Sequence, residues 1–127
     1  MTIVYELSEE LNKAGIKDLD HAHPFRIPPS SLVKCQDKAL IAVSEVMDNP
    51  AEHGSNTYNE MSVQVQIKIC YPIGNNVNNN LNIDADVFEK SIASFFMQKN
   101  WLRQASSGHY MDDSGHAEID LFFKRRF

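Results

Sequence analysis

Five histidines are the residues in this sequence that most readily suggest metal chemistry. His21 and His23 form an HxH motif, which on an extended segment places both rings on one side of the chain. A complete site needs a third ligand, for which His53, His109 and His116 are the candidates, and none lies at a spacing diagnostic of zinc. Because prolines surround the HxH motif, we interpret it as an exposed loop, and we expect neither metal nor cofactor.

Two pairs of carboxylates could serve in acid–base catalysis, and each has a simpler explanation. Asp84 and Asp86 precede a helical pattern, where aspartate caps the helix and compensates its dipole. Asp112 and Asp113 precede Ser-Gly in a predicted turn, where aspartate is favoured for local hydrogen bonds. The apolar surroundings that tune catalytic carboxylates are missing from both stretches. We therefore predict that the chain is not an enzyme, with a small metal-dependent hydrolase as the less favoured alternative.

The two cysteines, Cys35 and Cys70, lie far apart and form no CxxC motif. We predict two free thiols in a reducing cytoplasm. Cys70 has Lys68 as a neighbour on the same side of a predicted strand, and one lysine is weak support for a reactive thiol. A packed or interface cysteine is the better interpretation. The sequence also lacks GxSxG, HExxH and a phosphate-binding glycine loop.

Length and composition fit one globular domain covering residues 1–127, of which 43% are hydrophobic. The net charge of -5 is carried by residues 1–60, which hold ten acids and five bases, whereas residues 61–127 hold seven of each. An acidic chain without a basic stripe argues against sequence-specific nucleic-acid binding. No apolar run approaches the ~18 residues of a membrane span, and the N-terminus lacks signal-peptide features, so we expect a cytoplasmic protein without a membrane partner.

The elements that must position these residues begin with an amphipathic helix. Val4, Leu7, Leu11 and Ala14 recur at helical spacing, and Gly15 follows where a helix commonly ends. Three long polar segments, at residues 21–37, 48–60 and 72–83, are predicted loops. The first contains an extended connector at 21–31, because three prolines exclude regular helix there. Connections this long in a small domain favour joining arms that contact partners.

Strands and a second helix complete the pattern. A short apolar run at residues 38–43 predicts a buried strand, and residues 61–71 alternate strictly between apolar and polar, which predicts a strand with one buried face. Phe88, Ile92, Phe95 and Phe96 then form an aromatic stripe on a helix that should pack on this buried face. Residues 101–110 and 117–124 predict a hairpin, with a turn at 112–115 between them. The fold class is α+β, an antiparallel β-sheet of about four strands with two helices packed on one face.

Several short stretches resemble a family of small tail proteins from siphophages of Gram-positive hosts. They are residues 45–50 (EVMDNP), 54–57 (GSNT), 65–71 (VQIKICY), 100–101 (NW), 109–116 (HYMDDSGH) and 122–126 (FFKRR). The resemblance covers about residues 38–127, and the first third matches mainly in the order of its elements. The asparagine-rich segment at 75–82 departs from the family pattern. These proteins are similar to tail terminator or tail completion proteins.

The resemblance implies a structural virion protein that forms an oligomeric ring, a homohexamer, on the end of the tail tube. Such a ring ends tube polymerisation and offers a surface for head attachment, so its partners are other copies of itself, the major tail tube protein and the head connector. Its location is the phage tail, after synthesis in the bacterial cytoplasm. A different head–tail joining (neck) protein is the alternative, and a soluble adaptor unrelated to phage is a further one.

Candidate contact residues follow from this reading of the sequence. The predicted protein interface comprises loop residues, the polar row of the long strand and two arginines near the C-terminus: Asn56, Tyr58, Asn59, Gln64, Gln66, Lys68, Arg125 and Arg126. Exposed opposite charges can set the register of a contact. We therefore expect the two arginines to pair with the acidic N-terminal half of the next subunit.

Overall fold

The computed structural model describes residues 3–33, 38–46, 62–72, 83–111 and 115–126. Its elements are α1 (Ile3–Lys13), β1 (Leu19–Pro24), α2 (Pro29–Val33), β2 (Ala39–Val46), β3 (Ser62–Cys70), α3 (Ala85–Gln98), β4 (Leu102–Ser106), β5 (Tyr110–Met111) and β6 (Ala117–Arg126). The α+β class is confirmed. Among the described residues the sheet has six strands with three helices, which is larger than the sequence indicates.

The first helix forms where its apolar spacing predicts it. Val4, Leu7 and Leu11 of α1 are buried, whereas Ala14 lies beyond the end of the helix and is exposed. Gly15 adopts a φ of 69°, a left-handed conformation that is nearly free of strain only for glycine. The stop signal is therefore confirmed, and the apolar stripe is one residue shorter than expected.

The expected extended connector at residues 21–31 is wrong, because this stretch contains regular structure. It holds most of strand β1 and the start of helix α2. The prolines are compatible with both elements, since Pro24 is the last residue of β1 and Pro29 the first residue of α2. At a first helical position the missing proline N–H removes no helical hydrogen bond.

The strands form one sheet in the order β1-β2-β3-β6-β4, and β5 also pairs with β6. β1 runs parallel to β2, and the other pairs are antiparallel. The predicted long strand is β3, which lies between β2 and β6 at the centre of the sheet. The predicted hairpin is present as two short strands, β4 and β5, that both pair with β6. Of its turn, Gly115 is described and has a φ of 90°.

Helices α1 and α3 cover one face of the sheet and enclose the core. At the start of α3 the Asp84 side chain accepts hydrogen bonds from the backbone N–H groups of Asp86 and Val87, so the predicted cap is confirmed. The predicted aromatic stripe packs on the sheet, where Phe96 stacks on Phe123 of β6 with ring centroids 4.5 Å apart. No helix in the described part of the chain is long and apolar enough to cross a membrane.

Among the described residues, the opposite face of the sheet is covered at one corner. Leu40 and Cys70 are buried there beneath Ile27 and Leu32, which come from the connection after β1 and from α2. Cys70 is therefore a packed cysteine, as the sequence favoured. Cys35, the other cysteine, lies outside the described residues, so the prediction about its thiol stays a prediction. The rest of this face defines the surface on which the predicted contact residues lie.

Candidate interaction surface

Strand alternation places polar side chains of β3 on the sheet face opposite α1 and α3, here called the open face. Gln64, Gln66 and Lys68 are half-buried there, between the buried core residues that alternate with them. Their neighbours on β6 are Lys124, Phe122 and Asp120 in the same order. The result is a rigid surface of two amides, two lysines, one carboxylate and one half-buried aromatic ring, which suits hydrogen bonding to another protein.

A hydrogen-bonded rim borders the open face at β5. The Tyr110 hydroxyl donates to Asp120 Oδ2 at 2.9 Å, and the Asp120 backbone N–H donates to Ser107 Oγ at 3.0 Å. Burial, followed by the Asp120 hydrogen bond, raises the pKa of Tyr110 above its ordinary value. Asp120 Oδ1 is buried and meets no hydrogen-bond partner among the described residues. The rim is therefore fixed in position and keeps one acceptor unused.

A small groove adjoins the open face beside the corner that α2 covers. It has a volume of about 260 Å³ and is lined by apolar side chains such as Ile27 and Leu32 and by the charged groups Lys68 and Glu118. Glu118 is buried, and its carboxylate also contributes to raising the pKa of Tyr110. The groove combines an apolar floor with charges of both signs, so it can receive an amphipathic side chain of a partner.

The other predicted contact residues lie elsewhere. Arg125 belongs to the helix-covered side of the sheet, where its guanidinium carbon is 6.0 Å from the centroid of the Trp101 ring. Arg126 is the last residue of β6 and is paired with Ser62, but its side chain is outside the description. Asn56, Tyr58 and Asn59 fall outside the described residues. The structure thus brings together Gln64, Gln66 and Lys68 and separates Arg125 from them.

The HxH pair lies on strand β1 rather than in a loop. The His21 and His23 rings are on one side of the strand, with centroids 4.6 Å apart. Burial, followed by the nearby His21 charge, lowers the pKa of His23, whose Nε2 atom is buried and meets no partner among the described residues. No group of three or more potential metal ligands occurs within the described ranges.

A cluster of polar groups that the sequence reasoning missed runs from the core at Tyr71 to the surface at His109. The Tyr71 hydroxyl donates to Glu89 Oε2 at 2.6 Å, and His109 Nε2 lies 2.7 Å from the same oxygen. Burial and then the Glu89 hydrogen bond raise the pKa of Tyr71 strongly. Glu89 precedes Ile92 by three positions and Phe96 by seven, so its place on the apolar stripe of α3 was the signal available in the sequence.

The geometry of this cluster indicates that Glu89 holds α3 in position against the sheet. Its side chain is 11% exposed and uses one oxygen for both Tyr71 and His109. Those partners come from the residue after β3 and from the connection between β4 and β5. His116 adds a further link, because its Nδ1 atom lies 2.8 Å from the Tyr71 backbone oxygen. These contacts join α3 to the end of the sheet where β5 meets β6.

Comparison with known proteins gives one match and one negative result. A protein-family model described as "Protein of unknown function (DUF806)" matches residues 2–126, which is nearly the whole chain. A search of curated proteins found no significant match.

Proposed function

The chain belongs to the DUF806 family, and we propose that it is a structural protein of a phage tail. In this proposal, it forms an oligomeric ring, a hexamer, that caps the tail tube, ends tube polymerisation and provides the surface for head attachment. The resemblance of its short sequence stretches to siphophage tail proteins supports this role. Its partners are other copies of itself, the major tail tube protein and the head connector protein.

The observation that carries the proposal is the open face of the sheet. Gln64, Gln66 and Lys68 form a row on the central strand β3, so their positions are held by pairing on both sides. A rigid row of half-buried amides and one cation is suited to a protein contact with fixed register. The row is therefore proposed to contact the tube or a neighbouring subunit.

The remaining predicted contacts keep their proposed roles. Asn56, Tyr58 and Asn59 are proposed to reach the tube or a neighbour. Arg125 and Arg126 are proposed to contribute to the contact between subunits. Head-to-tail contacts of this kind produce rings when the rotation between copies closes.

A tube-capping assay tests the proposal. Purified tube protein from the same phage is polymerised with and without the chain, and tube length and labelled tube ends are measured by electron microscopy. We expect shorter tubes with the chain at one end. Lys68→Glu should weaken capping, because it reverses the charge on the open face. Lys90→Glu is the matched control, since Lys90 is exposed on α3, away from that face.

Two results would contradict the proposal in different ways. Tubes of unchanged length with unlabelled ends would reject a tube-capping role. Binding to the head connector without binding to tubes would identify a neck protein instead. Equal loss of capping in both lysine variants would remove the open face from the contact.

A further inference from the structure

One edge of the sheet is closed by a side chain. The Asn12 amide donates from Nδ2 to the Ala22 backbone oxygen at 3.0 Å and accepts at Oδ1 from the Ala22 N–H at 2.8 Å. The amide thus occupies the backbone groups in the middle of β1 that another strand would need. This occupancy disfavours strand addition at the middle of β1, so side chains are the better candidates for a contact at this edge.

Two aromatic side chains project beside this closed edge. Phe25 is 52% exposed and Tyr5 is 45% exposed, and their rings meet edge to face with centroids 5.6 Å apart. Phe25 has a φ of 68°, an outlier for a bulky residue, and its N–H donates to the Val43 oxygen at 2.7 Å. Backbone strain of this kind is concentrated at ligand clamps and functional sites. The strained turn holds an exposed aromatic pair, here called the aromatic knob.

The opposite edge carries a groove of about 600 Å³ beside β4. Its lining includes Met97 at the end of α3, Trp101, and Leu102 at the start of β4, with Met97 58% and Leu102 67% exposed. All residues of β4 are exposed, and among the described strands β4 pairs with β6 alone. Trp101 Nε1 is buried and meets no hydrogen-bond acceptor within the described part of the chain. This edge therefore offers apolar surface of the kind that aromatic side chains fill.

The two edges carry complementary charge. Glu6 and Glu9 lie one and four residues after Tyr5 on α1 and are exposed. Residues 3–26 hold five acids and three bases, one of the bases being Arg26 beside the knob. Around the groove, residues 99–107 and 121–126 hold five bases and no acid. Lys99 and Glu10 pair with each other within one copy at 2.6 Å, so four of these bases and four of the acids remain for a contact between copies. Opposite charges across a contact favour a fixed orientation and suppress contacts between like edges.

The knob and the groove also lie at nearly the same level along the strands. Pro24, which precedes Phe25, aligns through the register of β2 and β3 with Leu121 of β6. Leu102 pairs with Lys124, three residues further in the same direction. The offset between Phe25 and Leu102 is thus two residues, or about 7 Å. The knob and the groove therefore lie at similar heights on opposite edges, so a head-to-tail contact between copies needs only a small shift along the strands.

We infer that the aromatic knob of one copy docks into the groove beside β4 of a second copy, against the exposed side chains of Met97 and Leu102. The docked knob brings its acidic α1 turn against the basic end of β4 and β6. That this contact builds a ring rests on the proposed function. The contact itself can be tested on the isolated chain. It assigns the subunit seam to the two edges and leaves the open face for other partners.

Two single-edge variants test the contact. Phe25→Asn removes the knob and relieves strain, because asparagine tolerates a positive φ better than phenylalanine. Leu102→Glu places a negative charge in the groove at an exposed position. Val87→Glu is the matched control, because Val87 is 58% exposed on α3 and lies outside the groove. Circular dichroism and thermal unfolding establish that each variant is folded.

Sedimentation velocity over a concentration series gives the readout. The unmodified chain should self-associate, and each edge variant should do so at least about 30-fold more weakly, the loss expected for a hot-spot residue. Val87→Glu should match the unmodified chain. An equimolar mixture of the two edge variants should form a dimer and stop there, since one intact knob meets one intact groove.

The contrary results are specific. An unmodified chain that stays monomeric over the series, an edge variant that associates normally, or a mixture without dimers would each overturn the inference. A symmetric contact between two grooves would be seen as normal dimers of Phe25→Asn. These results also distinguish failure of this inference from failure of the proposed function. If tubes stay uncapped while the edge variants associate weakly as expected, only the capping role is rejected. If tubes are capped while the edge variants associate normally, only the proposed contact between edges is rejected.

Discussion

Replacing Tyr71 by phenylalanine isolates the energy of the buried cluster around Glu89. The change keeps the ring, whose centroid lies 6.0 Å from that of Phe88, and removes the hydroxyl that donates to Glu89 Oε2 at 2.6 Å. A hydrogen bond to a charged group contributes about 1.5–3 kcal/mol, and Glu89 would keep His109 as its partner on that oxygen. We expect a loss of about 2 kcal/mol in the free energy of unfolding, or about 8 °C in Tm for a domain of this size.

A second tyrosine provides a matched control. Tyr110→Phe also removes a hydroxyl that donates to a carboxylate, that of Asp120 at 2.9 Å, but at an exposed position. Solvent replaces the lost partner there, so we expect a cost of about 0.5 kcal/mol. The two variants thus differ mainly in burial.

Urea unfolding followed by fluorescence is the assay, since the chain has a single tryptophan, Trp101, which is 1% exposed. Adding Glu89→Gln to Tyr71→Phe completes a double-mutant cycle, and the double variant should cost about 1 kcal/mol less than the sum of the single ones. A cost for Tyr71→Phe no larger than that for Tyr110→Phe, or strict additivity in the cycle, would refute the reasoning.

Three further changes probe other parts of the fold. Asn12→Ala should cost about 1–2 kcal/mol in urea unfolding, because it removes both hydrogen bonds to Ala22. Burial lowers the pKa of His23 in the folded chain, so stability should be full above about pH 6.5 and fall below it, where the unfolded chain binds the proton first. The variant His23→Phe should flatten the dependence of the free energy of unfolding on pH, whose slope for one proton is at most about 1.4 kcal/mol per pH unit. Phe96→Ala should cost about 3–5 kcal/mol in urea unfolding, and the exposed Met97→Ala should stay within about 0.5 kcal/mol.

Each of these expectations has a contrary result. An Asn12 variant as stable as the unmodified chain would show that water replaces the amide at the β1 edge. An unchanged pH slope in the His23 variant would assign the acid sensitivity to other groups. Equal costs at positions 96 and 97 would contradict the core placement of the stacked ring.

Helices α1 and α3 and the central strands were predictable because one residue pattern dominates each of them. The alternation in β3, the spacing of Val4, Leu7 and Leu11, and the cap at Asp84 all operate over a few residues. β1 was missed because its alternation includes two histidines and ends at Pro24, so its pairing with β2 outweighs a weak local preference.

The sites were less predictable for a related reason. The polar row of β3 follows from alternation alone, and its place on the face opposite the core was predicted. The cluster of Tyr71, Glu89 and His109 joins residues 18 to 38 positions apart, and only the folded sheet brings them together. The groove beside β4 likewise depends on where α3 ends above the sheet, which local spacing does not specify.

The position of β6 determines when the sheet can form during synthesis. This strand comes last among the described elements, yet it pairs with β3, β4 and β5. While the ribosome still holds residues 117–126, β3 has an unpaired edge and α3 has only part of its core surface. The nascent chain therefore exposes a strand edge that can aggregate until β6 emerges. Pairing of the complete sheet must therefore follow translation of this strand.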